Sequence, residues 1–426
     1  MNLCRRRRKE ALTKTRKFET RHLVSYDIKA GAGGKPTKQS SRKSLRTARA
    51  EKFNDSCLLQ RKKINAEVRK NFSIFGILLW KQCCISKNKG GQFDSLGSTL
   101  VVFAVVADHA LYYSDQFVLS KDNFDTTRKA AWIAASLDKD PIPSVRLCSP
   151  KSATLADARR VHSENYLQAL QTGQPVATAN FSKINWDSGV LPMALSACGG
   201  MLAAGKSARR DGVAGCLSSG FHHAKRDRGD GFCTLNGLAI TAHALAEGNR
   251  DHILVLDLDA HCGGGTHSLI QNHPRLWQLD VSVMPYDDFQ PGERCIKETV
   301  DDARQYLKTV WRCLQQAEAE WPLFILCLYN AGMDIHQDCK IGGLAGMDEF
   351  IITLREEMVF QWCRERGIPI AYAMAGGYTG GKMSRARLVD LHRLTLICAG
   401  KIDSSDNICP QRKSDVKIKK GKTHGT

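Results

Sequence analysis

From residue 100 to residue 399, short apolar runs alternate with longer stretches in which apolar positions recur every three or four residues. The runs lie at 100–106, 214–219, 277–284, 322–329 and 369–374, with one more opening the stretch 252–266. Most are rich in aliphatic residues and have no polar face, the pattern of strands covered on both sides. The segments 126–137, 153–173, 190–208, 237–247, 302–320, 347–366 and 385–399 have helical spacing or helix-favouring composition, and Gly173 closes the second of them. This alternation predicts an α/β fold, a three-layer open and mostly parallel sheet with helices on both faces. No internal repeat is evident.

Polar residues gather just after the predicted strands, where an open α/β sheet places its ligands. The stretch 252–266 ends Asp-Leu-Asp-Ala-His-Cys-Gly-Gly-Gly-Thr. If the strand continued, Asp257, Asp259 and His261 at i, i+2 and i+4 would share one face. Two carboxylates buried together resist ionising, and a divalent cation removes that conflict. Asp with His is a ligand set suited to zinc; a hydrogen-bonded Asp/His knot is the competing reading. Three further strands end in Ser-Gly-Phe-His222-His223-Ala, Ala-Gly-Met-Asp334 and Ala-Gly-Gly-Tyr378, and Gly231-Phe232-Cys233 stands on a Gly/Asp-rich loop. Each motif alone has an ordinary structural explanation, but four strand ends delivering such groups to one edge point to a catalytic pocket.

Charge divides the 426-residue chain into three parts. Residues 1–90 hold 25 Lys and Arg against 6 Asp and Glu, 91–400 hold 30 against 34, and 401–426 hold 7 against 3. The net charge of +19 therefore belongs to the ends, and the body is mildly acidic. A basic, disordered N-terminal extension is expected over 1–97, a catalytic domain over 98–400 and a basic disordered tail over 401–426. The N-terminal part reads as a solvated tail, a targeting segment or an arm for an anionic polymer. The apolar run at 72–80 is about half the length needed to cross a bilayer. Sixteen scattered cysteines in a chain this large suggest reduced, mostly buried thiols. An intracellular setting follows, in nucleus or cytoplasm or, given the basic N-terminus, in an organelle.

Ser-Gly-Phe-His-His-Ala, Gly-Phe-Cys-x-x-Asn, Asp-Leu-Asp-Ala-His, Ala-Gly-Met-Asp and Gly-Gly-Tyr stand in an order and spacing that resembles the histone deacetylase superfamily, zinc-dependent deacylases of the arginase–deacetylase fold. The resemblance covers roughly residues 100–400 and is closer to class IV-like and bacterial members. It implies Asp259, His261 and Asp334 as ligands of one catalytic zinc ion. It implies His222 and His223 as the catalytic pair, with His223 the general base and then acid, and His222 held by Asp257, which in the family also helps to bind a structural potassium ion. Tyr378 would donate a hydrogen bond to the substrate carbonyl, and Phe232, Gly231, Gly376 and Gly377 would line the substrate channel. The activity implied is hydrolysis of N-acyl-lysine in proteins, histones among them, with a part in chromatin regulation and a corepressor-type complex, without sequence-specific nucleic-acid binding or membrane attachment.

The chain departs from the family pattern at three places. Gly264 replaces the acid that would orient His223, so a lowered or shifted pKa follows unless another acid takes its place. Asp122-Asn-Phe-Asp stands where many members have a His-Pro-Glu-like segment. Gln290 replaces a frequent aromatic at the rim, which predicts a wider or more polar tunnel. Two other readings remain open at this stage, a small-molecule amide hydrolase of the acetylpolyamine type and a catalytically weak acyl-lysine-binding scaffold. An arginase-like dinuclear centre lacks its last carboxylate, because Gly263 stands there.

Overall fold

A computed structural model describes residues 108–246 and 251–401. The strand expected at 100–106, the extension 1–97 and all of the tail beyond residue 401 lie outside the described residues.

Among the described residues, eight strands form one sheet: β1 (His109–Tyr112), β2 (Val145–Cys148), β3 (Val213–Cys216), β4 (Ile253–Asp257), β5 (Leu276–Ser282), β6 (Cys295–Thr299), β7 (Leu326–Ala331) and β8 (Ile370–Met374). Their order is β2-β1-β3-β8-β7-β4-β5-β6, and every pairing is parallel. Each residue of β3, β4, β7 and β8 is buried. Covering on both faces is what parallel strands require, and it accounts for their unbroken apolar sequence.

The strands missed in the sequence are β1, β2 and β6. The first two have only four residues, and β2 and β6 are the sheet edges, where Val-Arg-Leu-Cys and Cys-Ile-Lys-Glu-Thr mix apolar with charged side chains. Charge on an edge discourages pairing with another chain and also hides the strand pattern.

Most helices fall where expected, among them Val190–Asp211, Ala303–Glu320, Glu349–Glu365 and Arg385–Gly400. In Val190–Asp211, Gly200 lets the helix approach the sheet, since a Cβ there would stand 2.7 Å from Cys216 Sγ on β3. The segment 153–173 is two helices rather than one, Leu155–Arg159 and Glu164–Thr172. Thr154 and Asp157 form a capping box at the first, and the Ser163 hydroxyl accepts from Tyr166 N at the second. The break presents His162, whose Nδ1 donates to the Lys225 carbonyl (2.8 Å) while Nε2 accepts from Asn236 N (3.0 Å). Burial holds that imidazole neutral, with its pKa lowered to about 4.

The order β3-β8-β7-β4 is the fact that matters for function. These four adjacent strands, drawn from distant parts of the sequence, carry all four polar strand ends to one edge.

Candidate metal centre and catalytic groups

Asp259, His261 and Asp334 are buried, and a ligand atom from each lies within 4.8 Å of the others. His261 Nδ1 stands 3.1 Å from Asp259 Oδ1 and 3.2 Å from Asp334 Oδ2. Backbone donors fix the outer oxygens: Gly376 N donates to Asp259 Oδ2 (2.7 Å) and Ala260 N to Asp334 Oδ1 (3.1 Å). Asp334 Oδ2 is left buried with no hydrogen-bond donor. One imidazole nitrogen cannot satisfy two carboxylates, and a buried unmet oxygen is costly. Burial and the neighbouring Asp259 raise Asp334 to about 6, whereas His222 and His261 overcome burial to hold Asp259 well below the usual carboxylate range. A Cβ at Gly376 would lie 2.0 Å from Asp334 Oδ2 and 2.5 Å from Asp259 Oδ2, so only glycine keeps this cradle open. Two carboxylates, one imidazole and an orphaned oxygen fit a divalent cation in a three-ligand site.

Asp257 does not join this cluster. The strand ends at Asp257 and the chain turns, so the shared-face reading of 257, 259 and 261 fails. Instead Asp257 Oδ2 faces His222 Nδ1 at 2.8 Å, and its Oδ1 accepts from Asn330 Nδ2 (2.9 Å). Burial pulls the His222 pKa down, but Asp257 and Asp259 outweigh it and raise it to about 10. Behind lie Asp280, Gln278 and Asn330, each with one buried side-chain oxygen that has no hydrogen-bond partner.

The His223 ring lies 3.9 Å from that of His222. Its pKa is lowered to about 4, first by burial and then by the His222 charge. The direction matches the expectation drawn from Gly264, but the cause does not, because an acid is present. Asp287, on the loop after β5, places Oδ2 3.1 Å from His223 Nδ1. Gly265 N donates to the same oxygen (2.8 Å), and Lys225 Nζ pairs with Oδ1 at 2.6 Å.

Asn236, in the Gly-Phe-Cys-x-x-Asn motif, stabilises the loop between these histidines and the helix Gly237–Leu245. Its amide donates to the carbonyls of His222 (3.3 Å) and Ala224 (3.2 Å) and to Thr266 Oγ1 (3.1 Å).

Tyr378 follows β8 through Gly376 and Gly377 and is 8 % exposed. Burial and the charges of Asp334 and Asp259 keep its hydroxyl protonated far above the ordinary range. The Asp122–Asp125 segment has its own part here. Phe124 stacks on Phe232 at 3.9 Å and lies 5.4 Å from the Tyr378 ring, and Asp125 accepts from Thr379 N (2.5 Å) and its hydroxyl. Gly231 packs on His223, where a Cβ would stand 2.3 Å from the ring. Tyr286 sets its ring against His223 (5.0 Å) and His261 (5.9 Å) and donates its hydroxyl to Asp230 (2.7 Å). Gln290 is exposed and lines a cavity with Gly264, His267 and Asp287, and the aromatic beside the histidines is Tyr286. Lys183 sets its ammonium 6.0 Å from the Phe232 ring centre and 5.4 Å from that of Tyr286.

Among the described residues, the non-glycines with left-handed backbone are Lys183, Phe221, Phe232 and Asp287, and all four belong to this site or its rim. Such strain is characteristic of functional sites. Sequence reading missed Asp287, Tyr286, Phe124, Asp125 and Lys183. The Asp122-Asn-Phe-Asp departure was the one signal for two of them.

Known proteins resemble this chain in sequence and in fold. A family model for the histone deacetylase domain matches residues 123–393. Histone deacetylase 2 of Arabidopsis thaliana is 30% identical over 248 residues, covering 54% of this chain and 63% of the relative. Among solved structures, an acetylpolyamine aminohydrolase from Burkholderia pseudomallei superposes with a TM-score of 0.58 at 18% identity, over 69% of this chain and 99% of that one. The HDA15 HD domain superposes with a TM-score of 0.57 at 17% identity, over 70% and 91%. The two structural likenesses establish a shared fold.

Proposed function

This chain belongs to the histone deacetylase family, and from that premise we propose that it hydrolyses the amide of an N-acyl-lysine in a protein or peptide, with zinc as cofactor. The observation that carries the reading is the buried Asp259–His261–Asp334 cradle with its unmet oxygen, set beside two histidines and a tyrosine. Those three residues would hold the zinc ion, which when bound supplies a Lewis acid for the carbonyl and lowers the pKa of water.

The remaining chemistry belongs to the chain. With Nδ1 directed at Asp287, His223 has Nε2 free to take a proton from water and later return it to the leaving amine. Its lowered pKa keeps it neutral, hence ready as a base, at neutral pH. His222, paired with Asp257, carries positive charge that favours the developing oxyanion. Tyr378 remains protonated and donates its hydroxyl to that oxygen. Phe232 and Gly231 flank the acyl-lysine stem, and Gly376 and Gly377 give the backbone room beside it. The partnerless oxygens of Gln278, Asp280 and Asn330 beside Asp257 suit a hard cation such as potassium.

The acetylpolyamine reading is less well supported. A polyamine brings its own positive charges, and the rim presents Lys183 over two aromatic rings. The scaffold reading is also less well supported, because Asp287 supplies an acid beside His223. All eleven described cysteines are free and most are buried, which favours a reducing, intracellular setting; a corepressor-type partner is part of the same proposal. Among the described residues no helix is long and apolar enough to cross a membrane. The test is turnover of acetyl-lysine peptides, longer acyl-lysine peptides and acetylated polyamines, with and without a zinc chelator. Turnover of peptides that the chelator abolishes is the expected result, and preference for the polyamine would reverse the substrate assignment.

A further inference from the structure

Gly264 and Asp287 have to be considered together. A Cβ at Gly264 would lie 2.2 Å from the Asp287 carbonyl oxygen, with the Asp287 carboxyl carbon 2.9 Å away. The space that a side chain at 264 would enter is taken by Asp287. Asp287 reaches it through a left-handed backbone, φ +57°, which aspartate tolerates better than most residues. Its side chain is 4 % exposed and accepts from three sides, His223 Nδ1, Gly265 N and Lys225 Nζ. The adjacent Asp288 is half exposed and pairs with Lys297 at the surface. Of two neighbouring acids on one loop, one is therefore committed to the histidine.

We propose that Asp287 is the positioning residue for His223, supplied by the loop after β5 instead of the loop after β4, with Lys225 as the third member that fixes the carboxylate. This inference deepens the proposed function and rests on His223 as its proton-transfer group. A carboxylate at Nδ1 places the ring hydrogen there, leaving the lone pair on Nε2 and the ring plane fixed. Lys225 and Gly265 N keep the carboxylate from rotating away, and the vacancy at Gly264 is the steric condition for the arrangement.

The test uses the full chain with Asp287→Ala and the near-isosteric Asp287→Asn. Selective 15N-histidine labelling, with His223→Gln to assign the signal, reports the tautomer independently of turnover. The wild type should show His223 protonated at Nδ1, and both variants should change that signature. In turnover, kcat should fall roughly 10- to 100-fold in Asp287→Ala, with KM within about twofold and metal content unchanged. Formate should restore part of the lost kcat, because Asp287, Lys225 and Gly264 also line an open cavity. Lys225→Met should lower kcat by a smaller factor. An unchanged His223 signature, or kcat within twofold of wild type, would overturn the proposal. A wild type inert toward every acyl substrate would break the functional reading instead, and the imidazole signature would still judge Asp287.

Discussion

The strand-end centre and the rim around it are built by opposite means. At the centre, Asp259 and Asp334 are held by backbone N–H groups of neighbouring segments, and Asp257 by the side chain of Asn330 across the sheet. At the rim, loops bring in Phe232, Lys183, Tyr286 and Asp287, three of them on left-handed backbone. The paired histidines straddle the divide. Asp257 and Asp259 overcome burial to push His222 toward the charged form, whereas burial and the His222 charge push His223 toward the neutral form against the pull of Asp287 on its loop. Two chemically identical side chains thus acquire opposite charge preferences from their surroundings. In the proposed mechanism, charge stabilisation is therefore anchored in the sheet, while proton transfer and substrate contact depend on loops.

This contrast can be broken at several points, and the largest effect is expected at the centre. Asp334→Ala should abolish bound metal and reduce turnover by at least about a thousandfold, as read by elemental analysis and a deacylation assay. Retained metal would mean that the cradle is not the ligand set. Tyr378→Phe should lower kcat roughly 10²- to 10³-fold with metal content unchanged, separating oxyanion support from metal binding. At the rim, Gly264→Ala should destabilise the fold by about 1–3 kcal/mol in denaturant unfolding, since the new methyl meets the Asp287 carbonyl. A neutral result there would mean that the loop is not tightly seated. The smallest effect is expected for Lys183→Glu, a severalfold gain in kcat/KM for acetylated polyamines that shrinks with added salt. No change would remove Lys183 from the account of specificity.

The parts of the site legible in the sequence belong to the centre. Strands covered on both faces write themselves as aliphatic runs, and the residues immediately after them announce an edge. The order of those strands was not legible, because β8 pairs with β3 and β7 through backbone atoms that carry no residue code. Periodicity alone set Asp257 beside Asp259 and His261 by assuming that the strand continued, whereas the resemblance already paired it with His222, where the structure has it. The rim was harder for a physical reason: in Pro285-Tyr-Asp-Asp-Phe, two adjacent acids look alike, and only a positive φ at Asp287 decides which one points inward. The division of 153–173 was recoverable, since Ser163-Glu164 is a helix-start signal set inside an apparently continuous pattern.

The position of β8 has a consequence for how the protein comes into being. Until that strand arrives, residues 109–216 and 253–331 can form only two partial sheets, each with a bare inner edge. Among the described residues the last strand to be synthesised is the wedge that joins them, and it brings Gly376 and Tyr378 with it. A chain shortened before residue 370 would therefore be inert rather than feeble, and its open edges would make it a client for chaperones or aggregation.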